Sequence, residues 1–325
     1  MRDQVQAAEP RAAVRGSDLL WLAGLALAVA MAAAPWLGRV SAKADLAAQF
    51  LLQAGVGTAV LVALALFGRR LVMAALLALA LGAQAAWLAP HLGPSGTAAV
   101  AAAAPLRVAF FNVWRGNRSL PEVVAWLERE RPDVVVLAEY GAELRRALAP
   151  LDAIYPLRFD CLARPGCDLA VLSRRGGAPD LSLPAAAAAD LIELVVPLGD
   201  TELRVLGAHL TRPVGVGTVW KQLGQVRAVA GAVRADPRPT ILLGDLNAVP
   251  WARVVHELGE RSGLRVVGSL DGTWPAFLPW PLRIPIDHAL VSPGVVVTAR
   301  RLGPDLGSDH RPILLDLVVE PHAAA

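Results

Sequence analysis

The chain has 325 residues, enough for one large domain and a further unit, and 55% of them are hydrophobic while 18% are charged. The mean hydropathy of +0.48 shifts the composition from the soluble average towards a membrane protein. The net charge of +3 resides in residues 1–105, which hold seven basic and four acidic residues, whereas the remainder holds 24 of each. This balance excludes the bulk basic surface of a strong nucleic-acid binder, although a local basic patch stays open.

Three uncharged apolar segments occupy the first hundred residues, and each is about long enough to cross a ~30 Å hydrocarbon core. They cover residues 19–38, 46–68 and 71–90. Their polar exceptions include Gln49, Gln53 and Gln84. Buried core helices would show a polar face, which these segments lack. We therefore predict three transmembrane helices and a bilayer anchor at residues 19–90, with a cleaved signal peptide followed by two spans as the alternative.

Basic residues in the short flanks predict the orientation of this anchor. One side carries Arg2, Arg11 and Arg15 in a tail of residues 1–18, together with the pair at 69–70, and the other side carries only Arg39 and Lys43. We expect a cytoplasmic N-terminus and, after three crossings, a C-terminal domain outside the cytoplasm. Because the spans contain no charge, an anchor is a simpler interpretation than a transporter. Nothing in the sequence indicates an obligate protein partner.

The two cysteines lie beyond the spans. Cys161 and Cys167 flank an Arg-Pro-Gly turn. In an oxidising compartment they could close a disulfide loop worth about 2 kcal/mol, and two free buried thiols are the alternative. Without a nearby histidine, the pair is a poor zinc site.

Residues 91–105, rich in Gly, Pro, Ser and Ala, predict a linker, and residues 106–320 predict an α/β domain. Helices are expected at 119–130 (opening with a Ser119 capping box), 142–149, 219–235 and 251–262. Strands are expected near 106–114, 133–138, 155–162, 168–173, 191–197, 202–209, 241–244, 264–268, 286–291, 295–299 and 313–319. This order suggests two packed mixed sheets with helices outside.

Polar residues with catalytic potential stand where these strands end. They are Asn112, Glu139, His209, Asp245, Asn247, Asp287, Asp309 and His310. Each alone has an ordinary explanation, such as a turn cap or a buried histidine, but their concentration at strand ends indicates one site. For Asp168 a turn role is favoured and a contact with His209 is the alternative. His288 is interpreted as structural because strand alternation points it away from Asp287.

Six sequence pieces, in this order, resemble the endonuclease/exonuclease/phosphatase superfamily. They are residues 107–113, 133–139, 207–210, 244–247 (Gly-Asp-Leu-Asn), 286–288 and 307–312 (Gly-Ser-Asp-His-Arg-Pro). The resemblance implies a four-layer α/β sandwich, two packed mixed sheets flanked by helices, and hydrolysis of a phosphate ester by metal-activated water attack. Because the chain also has a predicted membrane anchor, it resembles a membrane-anchored bacterial type of this superfamily.

The resemblance also implies a metal site. Glu139 and Asp309 would supply hard oxygen ligands for Mg²⁺ or Mn²⁺, and Asn112 would complete the polar shell around metal and phosphate. No organic cofactor is expected.

The catalytic roles follow from the same resemblance. Asp245 would orient or deprotonate the attacking water, and Asn247 would hold water or phosphate. His310, steered by Asp287, would donate to a phosphoryl oxygen. His209 would contact the phosphate or assist the leaving oxygen.

A phosphodiesterase or nuclease is thus the leading hypothesis, with nucleic acid or a lipid headgroup as the phosphate-ester substrate. A phospholipid or phosphoinositide headgroup phosphoesterase is the alternative, and a catalytically silent binding module is a further one. The aromatic, proline-rich segment 273–281 packs over the sheet in the simplest interpretation, and forms a substrate lip or membrane-touching loop in the sharper one.

Overall fold

The computed structural model describes residues 16–92, 105–179 and 191–320. Most of the predicted tail and of the predicted linker lies outside these residues, as do the arginines at positions 2, 11 and 15. The α-helices in the described part are Gly16–Gly38 (α1), Ala42–Ala48 (α2), Leu51–Phe67 (α3), Leu71–Leu88 (α4), Leu120–Glu130 (α5), Ala142–Ala147 (α6), Val216–Arg234 (α7) and Arg253–Ser262 (α8).

Twelve strands in the described part form two six-stranded mixed sheets. The strands are Leu106–Asn112 (β1), Val134–Ala138 (β2), Leu157–Asp160 (β3), Ala170–Ser173 (β4), Ala178–Pro179 (β5), Leu191–Leu198 (β6), Thr201–His209 (β7), Thr240–Asp245 (β8), Arg265–Val266 (β9), Asp287–Val291 (β10), Val295–Leu302 (β11) and Ile313–Val319 (β12). The first sheet has the order β11-β12-β1-β2-β4-β3 and the second the order β5-β6-β7-β8-β10-β9.

Side-chain alternation along the central strands builds the layers. In β1, Val108 and Phe110 join the core between the sheets, whereas Ala109 and Phe111 face the helix layer of the first sheet. The sheets approach closely at Gly207, where an added Cβ would lie 2.5 Å from Val136 Cγ1. The predicted arrangement of two packed mixed sheets flanked by helices is confirmed.

The helix opening at Ser119 differs from its prediction in detail. Ser119 does precede α5, but its side chain accepts no capping hydrogen bond, so the predicted capping box is wrong. The backbone N–H of Ser119 instead donates to the side-chain oxygen of Asn117 at 2.8 Å. The local loop, rather than the serine hydroxyl, fixes the start of this helix.

The apolar N-terminal segments form helices that pack on one another through small residues such as Ala28, Ala65 and Ala74. Helix α1 and the stretch Leu71–His91 are long and apolar enough to cross a membrane. The predicted second span at 46–68 is not one straight helix, because α2 and α3 meet at a 65° bend. They amount to a third span only if this bent pair is counted as one.

The cysteine pair forms a disulfide, which was the first of the two predicted alternatives. Cys161 and Cys167 are bonded, with their Cα atoms 5.7 Å apart. The bridge closes the turn that leads from β3 to β4.

Candidate active site

The register of the second sheet aligns three of the predicted site residues. His209 at the end of β7 pairs with Asp245 at the end of the parallel strand β8, and Asp245 pairs across with Asp287 at the start of antiparallel β10. Gly244 permits the close approach of β7, because an added Cβ would lie 2.3 Å from the Ala208 carbonyl oxygen. One edge of this sheet therefore presents an imidazole and two carboxylates side by side.

The first sheet contributes Asn112 and Glu139 from the ends of its parallel strands β1 and β2. Asn112 Nδ2 donates to Asp245 Oδ2 at 3.0 Å and to Glu139 Oε1 at 3.3 Å, and so links the two sheets. The Asn112 carbonyl accepts a hydrogen bond from Ser308 Oγ at 2.8 Å. Ser308 Oγ in turn accepts from the backbone N–H of His310 at 3.0 Å, which ties the 307–310 loop to the same place.

His310 lies between two buried carboxylates. Its Nδ1 is 2.9 Å from Asp287 Oδ2, and its Nε2 is 3.6 Å from Asp245 Oδ2. Burial alone would lower the pKa of His310, but the charges of Asp287 and Asp245 outweigh it and raise the pKa to about 10. Burial raises the pKa of Asp245, which is 1% exposed. The ring is therefore a cationic hydrogen-bond donor held by Asp287 and directed at Asp245.

His209 is oriented by a partner that sequence analysis did not favour. Its Nδ1 lies 2.9 Å from Asp168 Oδ1, so the favoured turn role of Asp168 is wrong and the contact with His209 is formed. Burial lowers the pKa of His209, but the hydrogen bond to Asp168 and the charge of Asp245 raise it to about 9. The Nε2 atom is 3.8 Å from Asp245 Oδ2. That gap is too long for a direct hydrogen bond and suits a bridging atom.

Two site residues adopt left-handed backbone conformations, which cost energy in any residue other than glycine. Glu139 has a φ of 54° and Asn247 a φ of 49°. The Asn247 N–H donates to Asp245 Oδ1 at 2.8 Å, and its Nδ2 donates to the Leu210 carbonyl at 2.9 Å. Such strain concentrates at functional sites because the surrounding structure must enforce it.

The oxygen atoms of Asp309 and Glu139 fit a hard cation. Asp309 Oδ2 accepts from the Trp274 indole at 3.0 Å, whereas Oδ1 is buried with no partner among the described residues. An unpaired buried carboxylate oxygen is costly, and a bound cation would satisfy it. Glu139 and Asp309 line the same cavity. A second group also has suitable spacing, since ligand atoms of Asp245, Asp287 and His310 lie within 4.8 Å of one another.

The site opens into a cavity of about 590 Å³. Its charged lining consists of Glu139, Asp168, Asp245, Asp309, His209, His310, Arg212 and Lys221. The predicted Asn247 also lines it, while Asn112 and Asp287 are buried behind the wall. All eight predicted residues thus gather at one place.

Trp274 and Arg115 take part in this site but were not singled out from the sequence. Trp274 bonds to Asp309, and the Arg212 guanidinium lies 4.8 Å above its ring. The Arg115 backbone N–H donates to Glu139 Oε2, and its guanidinium pairs with Asp168. The aromatic segment was visible in the sequence, but no spacing rule links position 274 to 309. His288 donates to the Ala248 carbonyl at 2.6 Å, away from the site, as its structural interpretation required.

Comparisons with known proteins identify relatives of this chain. Residues 109–310, more than half of the chain, match the sequence model of the Endonuclease/Exonuclease/phosphatase family. The crystal structure of an endonuclease/exonuclease/phosphatase from Beutenbergia cavernae DSM 12333 is similar with a TM-score of 0.52 and 22% identity, over 68% of this chain and 73% of that chain. No curated protein sequence matches.

Two further solved structures cover a similar share of the chain. TDP2 from D. rerio, complexed with a single strand DNA product, has a TM-score of 0.54 and 19% identity over 67% of this chain and all (100%) of that chain. An endonuclease/exonuclease/phosphatase from Bacteroides vulgatus has a TM-score of 0.54 and 16% identity over the same shares, 67% and 100%. At these identities the likeness establishes a common fold.

Proposed function

We propose, because the chain belongs to the Endonuclease/Exonuclease/phosphatase family, that it is a membrane-anchored, divalent-metal-dependent phosphodiesterase. The observation that carries the proposal is the meeting of two imidazoles and several carboxylates from both sheets around one cavity. These are the groups that hydrolysis of a phosphate ester requires, and no nucleophilic serine or cysteine lines that cavity in the described part of the chain.

A divalent cation, Mg²⁺ or Mn²⁺, fits the wall that carries Glu139 and Asp309. Asp309 Oδ1 is buried without a partner among the described residues, and these two carboxylates would repel an anionic phosphate unless a cation lay beside them. In this proposal Glu139 and Asp309 would hold the cation, with Asn112 beside them. The cation, when bound, would supply charge neutralisation at the phosphate and activation of water. The hydrogen bonds between Asp287 and His310 favour this assignment over the second group, because they commit those side chains to each other.

The remaining residues have roles in a balanced hydrolysis. Asp245 orients a water molecule and takes one proton from it. The oxygen of that water molecule forms the bond to phosphorus. The bond between phosphorus and the leaving ester oxygen breaks, and that oxygen takes a proton from His209 Nε2. His310 donates a hydrogen bond to a phosphoryl oxygen and stabilises the charge that develops there. Asn247 holds the water or the phosphate, and the products are an alcohol and a phosphate monoester.

The membrane part of the proposal comprises three crossings, a cytoplasmic N-terminus and a catalytic domain outside the cytoplasm. The flanking basic residues support this orientation, and so does the Cys161–Cys167 disulfide, since such bonds persist in oxidising compartments. Two contacts at opposite ends of the helices are consistent with this orientation. Arg70 pairs with Asp18 at the end proposed to face the cytoplasm, and Asp45 of α2 accepts a hydrogen bond from the Arg253 N–H of the domain at the other end.

The test is a hydrolysis assay of the purified full chain in detergent, on bis(p-nitrophenyl) phosphate, single-stranded DNA and phospholipid vesicles, with Mg²⁺ or with chelator. We expect chelator-sensitive hydrolysis that falls at least about a hundredfold in Asp245→Asn and His310→Ala. His256→Ala is the matched control, because that half-buried ring pairs with Glu260 on α8 and does not line the cavity. If wild type and both site variants match the buffer rate on every substrate, the chain is a binding module instead.

A further inference from the structure

The membrane anchor forms part of the wall of the catalytic cavity. Leu46, Gln49 and Phe50, which lie at the bend between α2 and α3, line this cavity together with Asp245 and His310. The side chain of Phe50 is 56% exposed although it precedes an apolar helix. The active site therefore opens where the polypeptide enters the predicted membrane.

Hydrogen bonds hold this wall in place. Trp251 Nε1 donates to the Ala48 carbonyl at 2.7 Å, and the Val249 N–H donates to Gln49 Oε1 at 3.0 Å. On the other side of the bend, Gln53 Nε2 donates to the carbonyls of Pro281 and Arg283 at 2.9 and 3.1 Å. The bend is thus fixed to two loops of the domain, one after β8 and one before β10.

Three elements adjoin the bend or the cavity. Phe50 and Val214 line the cavity. Trp220 lies beneath the guanidinium of Arg253, whose backbone N–H donates to Asp45 of α2. The loop before β10 is bonded to Gln53 through Pro281 and to the Asp309 carbonyl through Ala276.

The exposed apolar side chains of these elements are Phe50 at the bend, Val214, Val216 and Trp220 at or just before the start of α7, and Phe277, Trp280 and Leu282 in the loop before β10, all between 45% and 75% exposed. We call this set the apolar rim. Aromatic side chains with this exposure are favoured at the membrane–water interface. Two cationic side chains, Arg212 and Lys221, line the cavity and suit an anionic headgroup.

We propose that the substrate is a phosphodiester of a lipid in the bilayer that holds the anchor, bound with its headgroup in the cavity and its apolar part against Phe50 and the rim. This inference rests on the proposed phosphodiesterase function and names the substrate class of that site. A lipid reaches the cavity by lateral movement, without leaving the bilayer. The neutral overall charge of residues 106–325, with 24 basic and 24 acidic residues beyond position 105, gives a nucleic acid no comparable attraction.

The experiment places the full chain in vesicles of phosphatidylethanolamine, phosphatidylglycerol and cardiolipin with Mg²⁺, and measures headgroup release by mass spectrometry. Bis(p-nitrophenyl) phosphate and single-stranded DNA are assayed in parallel. We expect lipid hydrolysis, and a ratio of lipid to soluble-diester turnover that falls roughly tenfold in Phe50→Ala. Phe67→Ala, at the far end of α3 and 92% exposed, should leave both rates unchanged. Phe277→Ala repeats the test at a loop position if Phe50→Ala does not fold.

The outcomes separate the two proposals. Hydrolysis of the soluble diester without lipid hydrolysis, or without a fall in the ratio for Phe50→Ala and Phe277→Ala, overturns the lipid inference and leaves the phosphodiesterase function standing. DNA cleavage with intact lipids overturns it in favour of nucleic acid. If no substrate is hydrolysed, the proposed function fails and the lipid inference fails with it.

Discussion

Glu139 and Asp287 each carry a carboxylate but lie in different surroundings, and this contrast supports the proposed cation site at Glu139 and Asp309. Glu139 lies on the cavity wall in a strained backbone conformation, whereas Asp287 is 1% exposed and bound to His310. Glu139→Gln should raise the Mg²⁺ concentration for half-maximal activity by about ten- to a hundredfold. Asp287→Asn should lower kcat by about a hundredfold or more with little change in that concentration.

Activity measured against Mg²⁺ concentration for both variants decides between the two metal groups. If Asp287→Asn shifts the Mg²⁺ requirement and Glu139→Gln does not, the cation binds at Asp245, Asp287 and His310. That outcome would reverse the roles of the two carboxylates and leave the hydrolytic function intact.

The Asp168–His209 pair predicts a pH dependence. Burial lowers the pKa of His209, but the bond to Asp168 and the charge of Asp245 raise it to about 9. The ring is therefore protonated at neutral pH and loses its proton as the pH rises through about 9. Because the proposed role of the protonated ring is to assist the leaving oxygen, activity should fall on the alkaline side. Asp168→Asn should move this fall towards neutral pH by about one unit.

A pH profile of kcat checks the shift. Asp152→Asn is the control, because this carboxylate is 68% exposed and pairs with Arg158 instead of a site residue. An alkaline limb that stays in place in Asp168→Asn would show that His209 does not transfer the proton.

At the scale of elements, local patterns predicted most of the domain. The apolar run before Asp245 forms β8, and the two runs around Gly199 form the hairpin of β6 and β7, as expected. The family-like pieces also placed all eight site residues around one cavity. The pairing of Asp168 with His209 was only the less favoured of two alternatives, and the pairing of Trp274 with Asp309 was not predicted. The partners lie 41 and 35 residues apart, respectively, and only the fold brings them together.

The bend between α2 and α3 shows where composition misleads. The uncharged apolar run at 46–68 predicted one span, and the glutamines of the apolar segments were interpreted as tolerated exceptions. In the structure Gln49 and Gln53 of this run form hydrogen bonds with the domain. Gln84 of the next segment donates through Nε2 to the Ala28 carbonyl and so links α4 to α1. Buried amides in apolar helices are costly unless bonded, so they mark contacts with the rest of the protein.

Gln49→Leu tests the contact between anchor and domain. The Val249 N–H would lose its acceptor, at a cost of about 1–3 kcal/mol for a buried donor. Hydrogen exchange of the segment 247–253 in nanodiscs should become faster. Gln84→Leu is the matched control, because it removes a bond within the anchor and should leave that segment unchanged. Equal exchange in wild type and Gln49→Leu would mean that the contact does not hold the loop.

At the scale of the whole molecule, the relation of anchor to domain lay beyond sequence reasoning. The bonds that join them connect residues 200 to 230 positions apart, and no local pattern encodes such distances. Hydropathy nevertheless located the apolar segments, because a membrane-spanning helix must be long and uncharged. The consequence is a cavity at the candidate site whose wall includes Leu46, Gln49 and Phe50 of the apolar N-terminal segments, an arrangement that an isolated domain would lack.

The orientation prediction is tested by labelling single cysteines with a membrane-impermeant maleimide. The native Cys161 and Cys167 are disulfide-bonded and give no background. Arg39→Cys after α1 and Asp200→Cys in the domain, both at exposed positions, should react in intact cells. Arg69→Cys, between α3 and α4, should react only after permeabilisation, because basic hairpins remain in the cytoplasm. The reverse pattern would show that the predicted orientation is wrong. Labelling of all three positions from outside would mean that neither α4 nor the bent pair α2–α3 crosses the membrane.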